Sequence, residues 1–188
     1  MTSRRLQAES GYSLIEMVVV VGIMAVLSGM AGLQIVQAKA TLQGDGGMRV
    51  VLAQLRTARE MAITERRCMI VRFIGTSAIR VIREEVPGPA TTTLTTVGLE
   101  NGIEFRLTNG LPDTPDAFGK QSATDFGAAG EIKFTPDGTL VDANGNVVNG
   151  SVFLAQHGAA LSARALTVLG STGRIRAWRW DGRNWHLV

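Results

Sequence analysis

The sequence predicts an α+β protein, a long N-terminal α-helix packed against a C-terminal antiparallel β-rich head. Three observations lead there. Residues 17–36 carry no charge, with only Ser28 and Gln34 as polar side chains. Residues 48–62 repeat apolar positions at three- and four-residue spacing, and from residue 68 onward the apolar period falls to two. About 150 of the 188 residues lie beyond the apolar run, enough for one compact domain and too few for two comfortable ones.

The first element is the apolar run. As a helix, residues 17–36 span about 30 Å, the thickness of a bilayer's hydrocarbon core. Glu16 stands at its start and Arg4 and Arg5 precede it. A carboxylate within a membrane costs about 2.5–3.5 kcal/mol, so Glu16 calls for a cation or a place at the interface. The two arginines favour a cytoplasmic N-terminus by the positive-inside rule. No small-residue cleavage site follows the run, which argues against an ordinary secretory signal.

After the span, Lys39 is the first charge, and Gly44-Asp45-Gly46-Gly47 predicts a hinge, because each interior glycine costs a helix about 1 kcal/mol. Met48, Val51, Leu52, Leu55, Ala58 and Ala62 then fall on one helical face, with Arg49, Arg56, Glu60 and Arg67 on another. An amphipathic helix over 37–67 follows, continuing the first as a spine.

Beyond it, Ile103, Phe105 and Leu107 alternate with polar residues, as do Ile132 and Phe134, the pattern of half-buried strands. Further strands are predicted at 69–74, 78–83, 151–155, 165–169 and 174–180, with Thr135-Pro136-Asp137-Gly138-Thr139 as a turn. Residues 86–98 and 108–130, rich in proline, threonine and glycine, read as long loops.

Composition narrows the function. A single cysteine, Cys68, excludes an internal disulfide and reads as a buried strand residue. His157 and His186 have no partners at metal-ligand spacing, so no metal or other cofactor is expected. No nucleophile elbow, phosphate-binding loop or zinc-protease helix is present. Asp113, Asp116 and Asp125 sit in a Pro- and Gly-rich stretch suited to turn chemistry. The sequence does not read as an enzyme.

Gly11-Tyr12-Ser13-Leu14-Ile15-Glu16, followed by Met17-Val18-Val19-Val20-Val21, resembles the class III signal of type IV prepilins and type II secretion pseudopilins. The resemblance implies that a prepilin peptidase cuts after Gly11, releasing a leader of residues 1–11, and that Tyr12 becomes N-methylated. It also implies that Glu16 pairs with a neighbouring subunit's N-terminal amine. Tyr12 and Ser13 replace the usual Phe and Thr but keep an aromatic ring and a hydroxyl. Residues 12–36 are then the transmembrane helix, 37–67 the periplasmic spine with its hinge at 44–47, and 68–188 the periplasmic head.

Phe134-Thr135-Pro136-Asp137-Gly138-Thr139 and Ser171-Thr172-Gly173-Arg174-Ile175-Arg176 further resemble the group containing the H-type minor pseudopilins of type II secretion (GspH) and the FimT-type minor pilins. This likeness implies a minor structural subunit of a type II secretion pseudopilus, single-pass in the inner membrane before assembly. Its partners would be the prepilin peptidase, membrane lipid, other major and minor pseudopilins or pilins, and the inner-membrane assembly platform. Residues 108–130 match nothing in the family.

The C-terminus supplies a second reading. Residues 164–188 hold five arginines against Asp181, a net +4, whereas residues 84–163 hold ten acids against three bases, a net −7. On a strand, Arg174, Arg176, Trp178 and Trp180 share one face, opposite Ile175, Ala177 and Arg179. Arginines beside indoles suit phosphates and stacked bases. The Gly173-Arg174-Ile175-Arg176 string resembles the motif through which some FimT-like pilins hold DNA in natural transformation, with Arg174, Arg176, Trp178, Arg179 and Trp180 as the implied contacts. Against this stands a structural role, in which the arginines meet tryptophan rings or the acids of the middle segment.

Overall fold

The computed structural model describes residues 13–127 and 131–188, without the side chains of 31–34, 36 and 37. Helix α1 (Leu14–Glu65) is followed by β1 (Met69–Ile74), β2 (Ala78–Glu84), β3 (Thr91–Gly98), β4 (Ile103–Phe105), β5 (Thr124–Asp125), β6 (Glu131–Phe134), β7 (Leu140–Val141), β8 (Gly150–Gln156), β9 (Ala159–Leu169), β10 (Arg174–Trp180) and β11 (Trp185–Leu187). The chain divides into two units, Met1–Ala38 and Lys39–Val188.

In the first unit, residues 14–30 are helical and exposed throughout, including Leu14, Met17, Val18, Ile23 and Leu27. Among the described residues no helix is long and apolar enough to cross a membrane. The run expected to span reaches residue 36, and most of its last six side chains are not among those described.

In the second unit, α1 buries Met48, Val51, Leu55, Ala58 and Ala62, the stripe its sequence spacing predicts. These side chains share one core with both sheets, meeting Val71, Ile79 and Phe134 on one and Leu154, Leu166 and Val168 on the other. Each fully buried aliphatic side chain contributes about 1.5–3 kcal/mol. The helix ends because Arg66 turns left-handed (φ 52°) and the Arg67 amide donates to the Ala62 carbonyl at 3.2 Å, a Schellman-type stop.

Helix α1 runs unbroken through residues 44–47, where the sequence predicts a hinge. The glycines serve close approach instead. A Cβ on Gly44 would lie 2.3 Å from the Ser162 carbonyl oxygen, and one on Gly47 would lie 2.6 Å from Ile103 Cγ2. Packing against β9 and β4 thus outweighs the low helix propensity of glycine.

Among the described residues all strand pairs are antiparallel. One sheet has the order β3-β2-β1-β6-β7, the other β11-β10-β9-β8-β4 with β5 beside β8. Strands β1 and β10 have the predicted bounds, while β9 begins at Ala159, six residues before the predicted start at 165. Residues 91–98, read from sequence as part of a loop, form β3, whose threonines suit an edge strand exposed on one face. Cys68 is half-buried just before β1, not buried within it.

The second sheet is buried on both faces. Along β8, Val152 and Leu154 face α1, while Phe153 and Ala155 join Ala163, Ala165, Trp178, Trp180 and Trp185 in a second cluster. Leu107 and Leu111 close that cluster from outside. The segment after β4, unmatched by any family pattern, is therefore the lid of a hydrophobic layer.

Candidate functional site

Two regions bear on function, the N-terminal helix and the C-terminal sheet. Gly11 and Tyr12, the cleavage and methylation residues implied by the resemblance, lie outside the described residues, as do Arg4 and Arg5. Glu16 is described. It occupies the first turn of α1, where the helix dipole favours an acid, and it is exposed among apolar side chains that are 42–82% exposed from Leu14 to Val21. Its carboxylate has no ion-pair partner among the described residues.

Strand β10 alternates as the sequence predicts, but the face bearing arginine and tryptophan is covered. Trp178 and Trp180 are each 8% exposed. The Trp178 indole donates from Nε1 to Thr167 Oγ1 at 3.0 Å, and Thr167 Oγ1 donates to Asp116 Oδ2. Arg176 pairs with the other oxygen of Asp116. Trp185 Nε1 donates to the Pro112 carbonyl at 3.0 Å, and the Trp180 and Trp185 rings meet edge-on with centroids 5.4 Å apart.

The surface expected to stack bases is thus closed by residues 107–125. Of the five residues implied as DNA contacts, Arg174 and Arg179 are exposed, Arg176 is held by a carboxylate, and both tryptophans are buried. Arg176 meets an acid of the middle segment, Asp116, the kind of partner the structural reading names. Asp116 is the residue the sequence underrated, because its place beside two prolines suggested a turn. Asp113 does serve a turn, accepting from the Thr114 and Gly119 amides at 2.6 and 3.1 Å.

After β10, Asp181 organises the hairpin to β11. Its Oδ1 accepts from the Arg183 and Asn184 amides, both at 2.7 Å, and its Oδ2 lies 2.6 Å from His186 Nε2. Those backbone donors, with the histidine ring, hold its pKa down to about 2. Cys68 shows the opposite shift: burial first, then the neighbouring Glu84 charge, raises its thiol pKa. Among the described residues no group of three His, Cys, Asp or Glu side chains is arranged to hold a metal.

The model of the prokaryotic N-terminal methylation motif matches residues 6–32. The chain carries this motif at its N-terminus. Its motif brackets Gly11, Tyr12 and Glu16, and its α1 and antiparallel sheets have the α+β architecture predicted from sequence. Among curated proteins no sequence match is found. Two crystal forms of the type IV minor pilin FimU of Pseudomonas aeruginosa (strain PAO1) are similar in structure to this chain. One is 17% identical over 70% of this chain and 84% of its own, with a TM-score of 0.49. The other is 17% identical over 71% and 90%, with a TM-score of 0.48.

Proposed function

We propose that this chain is a minor subunit of a type II secretion pseudopilus. It is made as a precursor, cut after Gly11 by prepilin peptidase, N-methylated at Tyr12 and held in the inner membrane by residues 12–36, with its head in the periplasm. Extraction into the filament, at an inner-membrane assembly platform, replaces lipid around the helix with the helices of other major and minor pseudopilins. Gly22 and Gly29, with open space around them, permit close helix approach.

The observation that carries this reading is the bare apolar surface of residues 14–30, bearing Glu16 inside a matched methylation motif. Such a surface needs lipid or other helices, and its single carboxylate needs a cation. A neighbour's freed N-terminal amine supplies one. The FimT-like alternative, a DNA-uptake pilin, draws less support because both indoles of its implied contact face are buried and Arg176 is paired with Asp116.

The test is Glu16→Ala in the full precursor. The variant is expected to insert in the membrane and be cleaved at wild-type levels, yet to be lost from sheared filament fractions. Incorporation equal to the wild type overturns the charge-pair mechanism.

A further inference from the structure

A cleft of about 520 Å³ lies in the second unit, where Arg56, Arg59 and Glu60 of α1 face Thr172, Gly173 and Arg174. Its floor is tightly built. Arg59 donates from Nε to the Gly138 carbonyl at 3.3 Å and from Nη2 to the Thr172 carbonyl at 3.0 Å. Its charge is thereby fixed in place by neutral acceptors. Gly173 is buried with φ +61°, and a Cβ there would lie 2.1 Å from the Gly138 oxygen and 2.6 Å from Arg59 Nε. Only glycine lets the β9–β10 turn touch Arg59.

Arg56 and Arg174 flank the opening. Both are exposed, and among the described residues neither guanidinium has a hydrogen-bond or ion-pair partner. Elsewhere on the second unit Arg67, Arg72, Arg83, Arg106, Arg164 and Arg176 meet carboxylates, whereas Arg49, Arg66, Arg80, Arg179 and Arg183 meet none among the described residues. The cleft thus concentrates three guanidinium groups against one carboxylate, Glu60.

We propose that this cleft receives a carboxylate-bearing peptide segment of a neighbouring filament subunit. The inference rests on the assembly reading above and adds to it a recognition site on the head. Guanidinium forks suit carboxylates, which they bind through two parallel N–H donors. A single carboxylate fits between Arg56 and Arg174 over the fixed charge of Arg59. A single-stranded nucleic acid fits less well, because no aromatic ring lines the cleft for its bases to stack on.

The experiment titrates the full-length chain, in detergent micelles, with a fluorescent peptide of alternating glutamate and glycine across a salt series. Duplex DNA is titrated in parallel. The wild type is expected to bind the peptide salt-dependently. The Arg56→Ala/Arg174→Ala variant is expected to bind it about tenfold more weakly, the sum of two partly exposed ion pairs. Arg179→Ala, a cation outside the cleft, is expected to bind like the wild type, and matching circular dichroism shows that all three are folded.

Absence of peptide binding, or binding that the double variant retains, overturns the proposal. So does DNA binding that is tighter than peptide binding and lost in the double variant, which makes the cleft a nucleic-acid site. The Glu16→Ala incorporation assay is read separately. Failure of the cleft with that assay upheld removes this inference alone, whereas normal incorporation of Glu16→Ala removes the assembly mechanism beneath it.

Discussion

The guanidinium of Arg164, wholly buried in β9, donates from Nε to the Asp45 carboxylate of α1 at 2.7 Å. It also donates to the carbonyls of Leu161, Ala163 and Thr41 at 2.8–2.9 Å. Arg164 has the same parity as Leu166 and Val168, so it points at the helix, and Asp45 is placed to meet it. This is a charged pin within an otherwise apolar contact. Removing one partner leaves a buried charge uncompensated, at a cost of about 3–5 kcal/mol. Asp45→Ala is expected to lower stability by that order in urea denaturation of the full-length chain. Asp45→Ala combined with Arg164→Met is expected to recover most of the loss, because no charge then remains buried.

The neighbouring glycines separate packing from propensity. Gly46 has open space around it, so Gly46→Ala is expected to stabilise the helix by about 0.5–1 kcal/mol. Gly44→Ala sets a methyl against the Ser162 backbone and is expected to destabilise by about 1–3 kcal/mol, despite the same gain in propensity. Opposite shifts in thermal midpoint for two substitutions two residues apart check this. Equal shifts would show that the Ser162 backbone gives way to the added methyl.

Asp116 joins Arg176 and Thr167 and so holds residues 107–125 over the tryptophan cluster. Asp116→Ala leaves the Arg176 guanidinium and the Thr167 hydroxyl without their shared acceptor, at a cost of about 1–3 kcal/mol. The expected readout is a red-shifted tryptophan emission, as water reaches Trp178. Any DNA affinity the variant gains over the wild type would identify the covered face as a latent site. An unchanged emission spectrum would show that Leu107 and Leu111 hold the lid without the ion pair.

These three contacts mark where the sequence was readable. The period of the apolar stripe identified the buried face of α1 from Met48 to Ala62, and alternation identified the buried faces of β4 and β6 at Ile103, Phe105, Ile132 and Phe134, because each pattern reports one buried face. Residues 44–47 misled because glycine weakens a helix and also lets one pack closely, and only Ser162 and Ile103, distant in sequence, decide between the two. The face of Trp178 and Trp180 was predicted correctly but not its cover. Nothing local to residues 107–125 states that Leu111, Pro112 and Asp116 return across 60 or more positions to meet Trp185 and Arg176. For Gly11, Tyr12 and Glu16 the motif itself was the information, and it owes nothing to long-range packing.

The C-terminal hairpin carries the clearest acid dependence. Asp181 has an ordinary pKa of 3.8 that its backbone donors and His186 lower to about 2. A carboxylate whose pKa is lower in the folded state stabilises that state above the ordinary value and stops doing so as pH falls through the folded one. The contribution of Asp181 is therefore present above about pH 4 and lost towards pH 2. Asp181→Asn keeps an oxygen for the Arg183 and Asn184 amides but cannot titrate, so it removes this dependence. Glu85, Asp137 and Asp142 are also held below their ordinary values, so the wild type softens in acid for several reasons. The difference between wild type and Asp181→Asn isolates the hairpin. Amide exchange at His186 and Val188, followed from pH 4.5 to 2, is expected to accelerate in the wild type relative to its own pH 4.5 value more than in the variant. Parallel profiles would assign the hairpin's stability to the Trp180–Trp185 contact instead.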